Sequence, residues 1–223
     1  MFKITSSASD PSGKLSTSKH YRLMVAIAAL VMISLLTSSG GSPIEHTISN
    51  SWEGFIWGIA EPVISLDRLA AIIAVGLLSA RYLRGVWISV AFVLATFIGQ
   101  IIHLSSLNLS GAEVTIAICT IIFGVILVLP TQIGWLACTI LAILAGLSQG
   151  YADSQAILSA DMVTTITYLI GVTLTQAVII MSVRQISTII CKNTINQILP
   201  RTIRWVGLTF CAIGIVFLGN AVI

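Results

Sequence analysis

Six long apolar runs limit the fold of this chain more than any other feature. They cover about residues 66–82, 86–105, 112–129, 132–149, 161–183 and 203–221. A helix needs about 20 mostly apolar residues to cross the hydrocarbon core of a bilayer, and only 9% of this chain is charged, whereas 57% is hydrophobic. The runs lack the polar–apolar alternation of transmembrane barrel strands. The sequence therefore predicts an all-α, polytopic membrane helix bundle with six transmembrane helices.

A seventh apolar run, from Leu23 to Leu36, is too short for a full span. It suits the apolar region of a signal peptide, and small residues suitable for cleavage follow it at 37–42. The polar segment before it is long for a signal peptide, so a retained anchor helix is the alternative. Residues 1–42 are therefore predicted to be a disordered N-terminus followed by a signal peptide or anchor helix. Residues 43–223 are predicted to form one transmembrane domain.

The basic residues predict the orientation of the bundle. When spans are counted from an inside N-terminus, every Lys and Arg except Arg68 falls on one side, and the positive-inside rule makes this side cytoplasmic. These residues are Lys3, Lys14, Lys19, Arg22, Arg81, Arg84, Arg184, Lys192, Arg201 and Arg204. Most acids fall on the opposite side, where they would concentrate cations. The expected location is the inner membrane of a bacterium, with the acidic face extracytoplasmic.

A short apolar segment at 52–60 precedes the first full span. Pro62 is predicted to break the helix there, because proline lacks an amide donor and clashes with the preceding turn. The result would be a short re-entrant helix, with the full span starting near Asp67. Two G-x-x-x-G pairs, Gly54 with Gly58 and Gly146 with Gly150, would allow helices to approach closely.

A group of polar residues is predicted at the outer ends of the spans. Its members are Glu61, Asp67, Arg68, His103, Glu113, Gln149 and Asp153. Charged residues beside apolar spans often mark an ion pathway or a paired network. Asp67 and Glu113 also suit helix N-termini, where the helix dipole favours a carboxylate. His103 fits either an interfacial histidine or a metal ligand.

The spacing of these residues resembles that of the HupE/UreJ family of hydrogenase and urease accessory membrane proteins. The family pattern G-F-x-x-G-x-x-H-P-x-x-G-x-D-H-L-x-x-x-x-A-V-G-L is similar to a stretch of this chain between residues 54 and 77. The residues that match or replace motif positions there are Gly54-Phe55, Gly58, Glu61-Pro62, Ser65, Asp67-Arg68-Leu69 and Ala74-Val75-Gly76-Leu77. The family's later acidic position corresponds to Glu113. Its H-G-x-A-H-G element corresponds to Gln149-Gly150-Tyr151-Ala152-Asp153-Ser154.

The resemblance implies a permease or binding protein for a divalent cation of the nickel and cobalt class. The family's histidines suit these metals, but here Glu61, Arg68, Gln149 and Asp153 replace the four of them. The implied ion pathway consists of Glu61, Asp67, Glu113, Asp153, Gln149 and His103. Arg68 cannot coordinate a metal. We therefore expect its guanidinium to pair with Asp67 or Glu61 and to occupy, as a tethered cation, the place of the metal ion.

Two functions remain open from the sequence. The first is transport or binding of nickel or cobalt, with the metal ion as the substrate rather than a resident cofactor. The second is a membrane scaffold or assembly subunit that keeps the permease fold after losing the histidines. An enzyme is not expected, because the chain has neither an H-E-x-x-H motif nor a nucleophile elbow. The expected partners are the lipid bilayer and either further copies of the chain or a larger membrane complex, without nucleic acid.

Overall fold

The computed structural model describes residues 50–105, 111–129, 133–157, 160–193 and 198–222, together with Val25, Ala29 and Ile48. Regular structure within these residues is entirely helical. The α-helices are α1 (Ser51–Ile64), α2 (Leu66–Ala80), α3 (Gly85–Leu104), α4 (Ala112–Val128), α5 (Trp135–Asp153), α6 (Met162–Asn193) and α7 (Ile198–Val222). A short 3₁₀ helix, Ser154–Ile157, follows α5. The all-α prediction is confirmed, whereas the expectations for residues 1–42 fall almost entirely outside the described residues.

Four helices are long and apolar enough to cross a membrane. They are α3, α5, the Met162–Ile189 part of α6 and the Ile203–Val222 part of α7. A fifth crossing is formed if α1 and α2, which meet at an angle of 77°, count as one broken span. The predicted six spans are not confirmed. At 1.5 Å per residue α2 is only about 22 Å long, which is less than the bilayer core of about 30 Å. The chain is nevertheless an integral membrane protein by the length and apolarity of its helices.

Helix α2 lies at the centre of the bundle and contacts each of the other six described α-helices. Its apolar side chains are almost completely shielded from solvent, including Ile72, Val75 and Leu78. They belong to one apolar core with Phe92 of α3 and Phe123 of α4. Because α2 is surrounded by protein, Arg68 near its start is also buried.

Both G-x-x-x-G pairs lie where helices pack most closely. A Cβ atom on Gly58 would lie 2.4 Å from the backbone oxygen of Tyr168, so α1 packs directly on α6. A Cβ on Gly150 would lie 1.9 Å from the backbone oxygen of Thr96, and Gly146 meets the backbone of Phe92 in the same way. The order of these contacts shows that α3 and α5 run parallel, so that their C-terminal ends lie on the same side of the bundle.

Side chains from the α2–α3 connection tie together the opposite end of the bundle. Arg81 donates to the backbone oxygens of Ile126 and Leu129 at 2.8 and 3.3 Å. The hydroxyl of Tyr82 donates to the backbone oxygen of Ile133 at 2.6 Å. The carbonyls of Ile126 and Leu129 lie at the end of α4, where backbone oxygens lack a partner within the helix, and that of Ile133 lies just before α5. The loop is therefore anchored to the neighbouring helices.

Candidate functional site

The break between α1 and α2 positions the first two residues of the site. The break occurs at Ser65, whose backbone is extended (φ −83°, ψ 110°), and not at Pro62 as predicted. Pro62 lies inside α1, and the helix continues past it because Ser65 still donates to the backbone oxygen of Glu61 at 3.3 Å. A proline removes only its own amide donor, so one near the end of a helix leaves the following turn intact. Glu61 therefore lies in the last turn of α1, close to Arg68 in the first turn of α2.

Arg68 bridges two carboxylates from different parts of the chain. Its Nη1 donates to Oε1 of Glu61 at 2.6 Å. The same nitrogen lies 2.9 Å from Oδ1 of Asp153, at the C-terminal end of α5, as a charge contact rather than an aligned hydrogen bond. The side-chain exposures of Arg68, Glu61 and Asp153 are 8%, 13% and 0%. These three residues form a buried ion cluster, which we call the Arg68 cluster.

Two residues of α6 hold Asp153 from its other side. Nε2 of Gln176 donates to Oδ2 of Asp153 at 3.1 Å, and the hydroxyl of Tyr168 donates to the Asp153 backbone oxygen at 2.7 Å. Tyr168 and Gln176 are both fully buried. Sequence reasoning missed both, although a glutamine within the apolar run 161–183 is a signal of an internal polar contact. Four helices thus contribute to the cluster and its supports.

Arg68 and Asp153 lie at helix ends, but the polar partner Gln176 lies far from the end of its own helix. Gln176 stands at the midpoint of the apolar Met162–Ile189 segment of α6. A second, smaller apolar cluster consists of Ile157, Tyr168 and Val172, which pack against Trp57 and Ile48. The charges are therefore enclosed by protein, where their interactions are stronger than in water and where each charge is costly without a partner.

The charges of the Arg68 cluster do not balance. If both Glu61 and Asp153 are ionised, the single guanidinium leaves one negative charge in excess. Asp67, the residue before Arg68, is half-buried and adds a further acid nearby, but no direct ion pair joins it to Arg68 among the described residues. The arrangement can therefore attract a cation, provided that this cation competes with Arg68 for the carboxylates.

The remaining predicted site residues lie apart from the ion pairs. Glu113 is exposed in the first turn of α4 and makes no ion pair among the described residues. Gln149 is fully buried one helical turn before Asp153. His103 packs edge-on against Tyr151, with ring centres 4.2 Å apart. Within the described part of the chain, no three His, Cys, Asp or Glu side chains converge as a metal-binding group.

A second group of polar side chains is buried beside the Arg68 cluster. The amide groups of Gln100 and Gln149 have zero solvent exposure, and neither the nitrogen nor the oxygen of either has a hydrogen-bond partner among the described residues. The same holds for both ring nitrogens of His103. Leaving a buried polar group unpaired costs about 1–3 kcal/mol. Gln100 was not among the predicted residues, although it too interrupts an apolar run.

Comparison with known proteins places the chain in a family. A family model described as HupE / UreJ protein matches residues 23–217. The comparison with curated proteins gave no match, and neither did the comparison with solved structures. The matched range includes every residue of the Arg68 cluster and extends beyond the region, about residues 54 to 185, in which the sequence resemblance was seen. The chain belongs to the HupE/UreJ family of membrane proteins.

Proposed function

We propose that this protein is a permease for a divalent transition-metal cation of the nickel and cobalt class, with Glu61 and Asp153 as the acids that receive the ion. The observation that carries this proposal is the buried Arg68 cluster, in which one guanidinium faces two carboxylates. Ionisable groups inside a membrane protein commonly mark an ion pathway, because they are too costly to keep without a use.

Arg68 would act as an internal competitor of the transported ion. While it bridges Glu61 and Asp153, its guanidinium occupies the carboxylate oxygens that a divalent cation would need. An incoming ion would take over one or both carboxylates, and Arg68 would have to move toward Asp67 or another acceptor. Arg68 would then return when the ion leaves. The membrane potential supplies about 2.3 kcal/mol per charge per 100 mV for inward movement of the ion.

The donor atoms bear on the choice of metal. Carboxylate oxygens favour harder cations than imidazole does, and three of the four histidines of the family motifs are replaced here by Glu61, Gln149 and Asp153. Relative to a histidine-lined site, selectivity should therefore shift from nickel toward cobalt and manganese. This shift makes a comparison of metals more informative than nickel uptake alone.

A scaffold or assembly subunit is the second candidate function. It is favoured by the absence of any group of three potential metal ligands among the described residues. It is also favoured by the position of Arg68, which can replace a metal permanently as the structural cation that joins α1, α2 and α5. In this reading the cluster stabilises the fold, and the protein acts through contacts with a larger membrane complex or with further copies of itself. Neither candidate function involves enzyme catalysis.

Uptake into vesicles tests the two functions against each other. Purified protein would be placed in lipid vesicles with an imposed potential, and uptake of Ni²⁺, Co²⁺ and Mn²⁺ would be measured. We expect uptake by the unchanged protein and at least a tenfold loss in Glu61→Gln and Asp153→Asn. Glu113→Gln is the matched control, because Glu113 is exposed and outside the cluster. No uptake of any metal, together with co-purification in a complex of fixed stoichiometry, would favour the scaffold.

The orientation of the protein is part of the same proposal. An ion driven inward by the potential must enter from the acidic side, with the Arg81 and Arg84 connection in the bacterial cytoplasm. A cysteine-reactive reagent that does not cross membranes can test this in cells. A cysteine introduced at Leu83, a fully exposed residue of that connection, should react only after the inner membrane is opened.

A further inference from the structure

Beside the Arg68 cluster, the unpaired amides of Gln100 and Gln149 require an explanation that ion transport does not provide. Both side chains are fully buried, and all four of their polar atoms lack a protein partner among the described residues. Buried side-chain polar atoms in folded proteins are nearly always hydrogen-bonded to protein or to ordered water. Two complete amides on neighbouring helices without partners in the described part of the chain indicate a ligand outside those residues.

The packing of α3 and α5 places these amides at the same end of the bundle. The two helices run parallel and meet where Gly150 touches the backbone of Thr96. Gln100 lies one turn beyond Thr96 along α3, and His103 follows on the same stripe because residues three or four apart share a helix face. On α5, Gln149 directly precedes Gly150. The ring contact between His103 and Tyr151 closes this region toward the helix ends.

The amides lie on the side of the helices that faces away from the outer surface of the bundle. The neighbouring residues that face outward are apolar and exposed, with Ile98 and Ile101 on α3 and Leu144 on α5. The amides therefore point toward protein, and hydrocarbon could not satisfy them in any case. A buried water typically makes two to four hydrogen bonds to polar groups. Two amides and one imidazole supply donors and acceptors of both kinds without adding charge.

We propose that Gln100, Gln149 and His103 line an internal water-binding site between α3 and α5. The ligand is water, because the lining is uncharged and offers both donors and acceptors. Gln149 lies one helical turn before Asp153 on α5. This water therefore lies close to the Asp153 end of the Arg68 cluster. The two carboxylate oxygens of Asp153 themselves contact Arg68 and Gln176, so this water adds a polar neighbour to the cluster without replacing either contact.

Oxidation by hydroxyl radicals tests the site, because the radicals form from water and attack side chains that contact it. Methionine reacts quickly and nearly matches glutamine in size, so Gln100→Met and Gln149→Met would report water at these positions. Ile72→Met, in the fully buried apolar centre of α2, and Leu144→Met, on the lipid-facing side, are the controls. The measurement uses full-length protein in lipid vesicles, with mass spectrometry of each methionine.

We expect both glutamine replacements to be oxidised at least tenfold faster than both controls. Oxidation at the control rate would overturn the proposal. If the variants fail to fold, oxidation of His103 and Tyr151 in the unchanged protein replaces them, with fully buried Phe123 as the reference. Oxidation of both residues above the Phe123 rate supports the site, and equal rates contradict it.

Stability gives a second readout of the same variants. Amides in a dry interior would be destabilising, so methionine in their place would raise the melting temperature. Hydrated amides predict no rise, and a clear rise in both variants would contradict the water site. None of these measurements needs a transported metal, so failure of the uptake experiment would leave this inference standing, and the reverse is also true.

Discussion

The guanidinium of Arg68 lies 2.9 Å from the carboxylate of Asp153 and joins the start of α2 to the end of α5. The same nitrogen binds Glu61 at 2.6 Å, so a single side chain holds three helices together. Because Asp153 has no solvent exposure, removing Arg68 would leave its carboxylate without a compensating charge. This relationship predicts how the protein responds to changes at each member.

Replacing Arg68 with alanine should destabilise the protein strongly. Two carboxylates would remain buried without their cation, and breaking a buried ion pair in this way costs about 3–5 kcal/mol. Thermal unfolding in detergent would measure the loss. Adding Asp153→Asn to Arg68→Ala should restore part of the stability, because it removes one of the uncompensated charges. Equal stability of Arg68→Ala and the unchanged protein would show that the cluster does not hold the helices together.

Removing the Tyr168 hydroxyl should weaken the support of Asp153. Tyr168→Phe deletes the donor to the Asp153 backbone oxygen while leaving the buried ring in place, and we expect a loss of about 1–3 kcal/mol. Thr209→Val is the comparison, because it deletes a bond within α7 on an exposed surface. The unfolding temperature should fall further in Tyr168→Phe than in Thr209→Val. An equal fall in both variants would contradict the assigned role of Tyr168.

A methyl group at position 150 should force α3 and α5 apart. The Cβ of Gly150→Ala would lie 1.9 Å from the backbone oxygen of Thr96, and a backbone atom cannot move aside as a flexible side chain can. Overpacking of this kind typically costs about 1–3 kcal/mol, and sometimes more.

Gly219→Ala is the matched control, because nothing lies within 4 Å of its new Cβ. Both substitutions gain a similar helix propensity, about 1 kcal/mol, so the difference between their unfolding free energies isolates the contact. Equal stabilities would mean that α3 and α5 are not packed so closely.

Asp161, at the start of α6, should make the stability of the protein depend on pH. Asp161 lies just before the apolar segment, and the hydroxyl of Thr164 donates to its carboxylate. This bond, with weaker bonds from the backbone amides of Thr164 and Val163, lowers the pKa of Asp161 below its usual value of 3.8. A lowered pKa means that the stabilisation is present above pH 3.8 and is lost as the pH falls through the folded-state value.

Asp161→Asn isolates this charge, because asparagine is an equally good residue at a helix N-terminus. Melting temperatures of the two proteins should differ above about pH 4 and converge below the lowered pKa. In a Thr164→Val background the difference above about pH 4 should be smaller, since the main cause of the lowered pKa is gone. A difference that grows on acidification would contradict this assignment.

Local patterns in the chain were enough to predict the helices and their close packing. Long apolar runs require helices in a bilayer, and the spacing of Gly54 with Gly58 and of Gly146 with Gly150 correctly marked two contact faces. The same patterns misplaced the helix break, because a proline signals the loss of a donor but not whether the following turn survives. They also predicted six spans, a number that is not confirmed, since apolar character alone does not distinguish a crossing helix from a short buried one such as α2.

The polar residues were visible in the sequence, but their pairing was not. Arg68 was expected to pair with Asp67 or Glu61, both close to it in the chain. The structure pairs it with Glu61 and with the distant Asp153. The roles of Gln176 and Tyr168 were also missed, because nothing local indicates which residue of α6 faces α5.

The amino-acid sequence by itself determined that this chain is a helical membrane protein of the HupE/UreJ type, because burial in lipid and motif spacing are properties of contiguous residues. Only the tertiary structure decided that Arg68 lies between two acids, and that two buried amides near them lack a partner within the described ranges. Such contacts depend on the depth and rotation of whole helices relative to one another. The depth and rotation of each helix result from all of its packing contacts in the bundle, such as Gly58 against Tyr168 and Gly150 against Thr96.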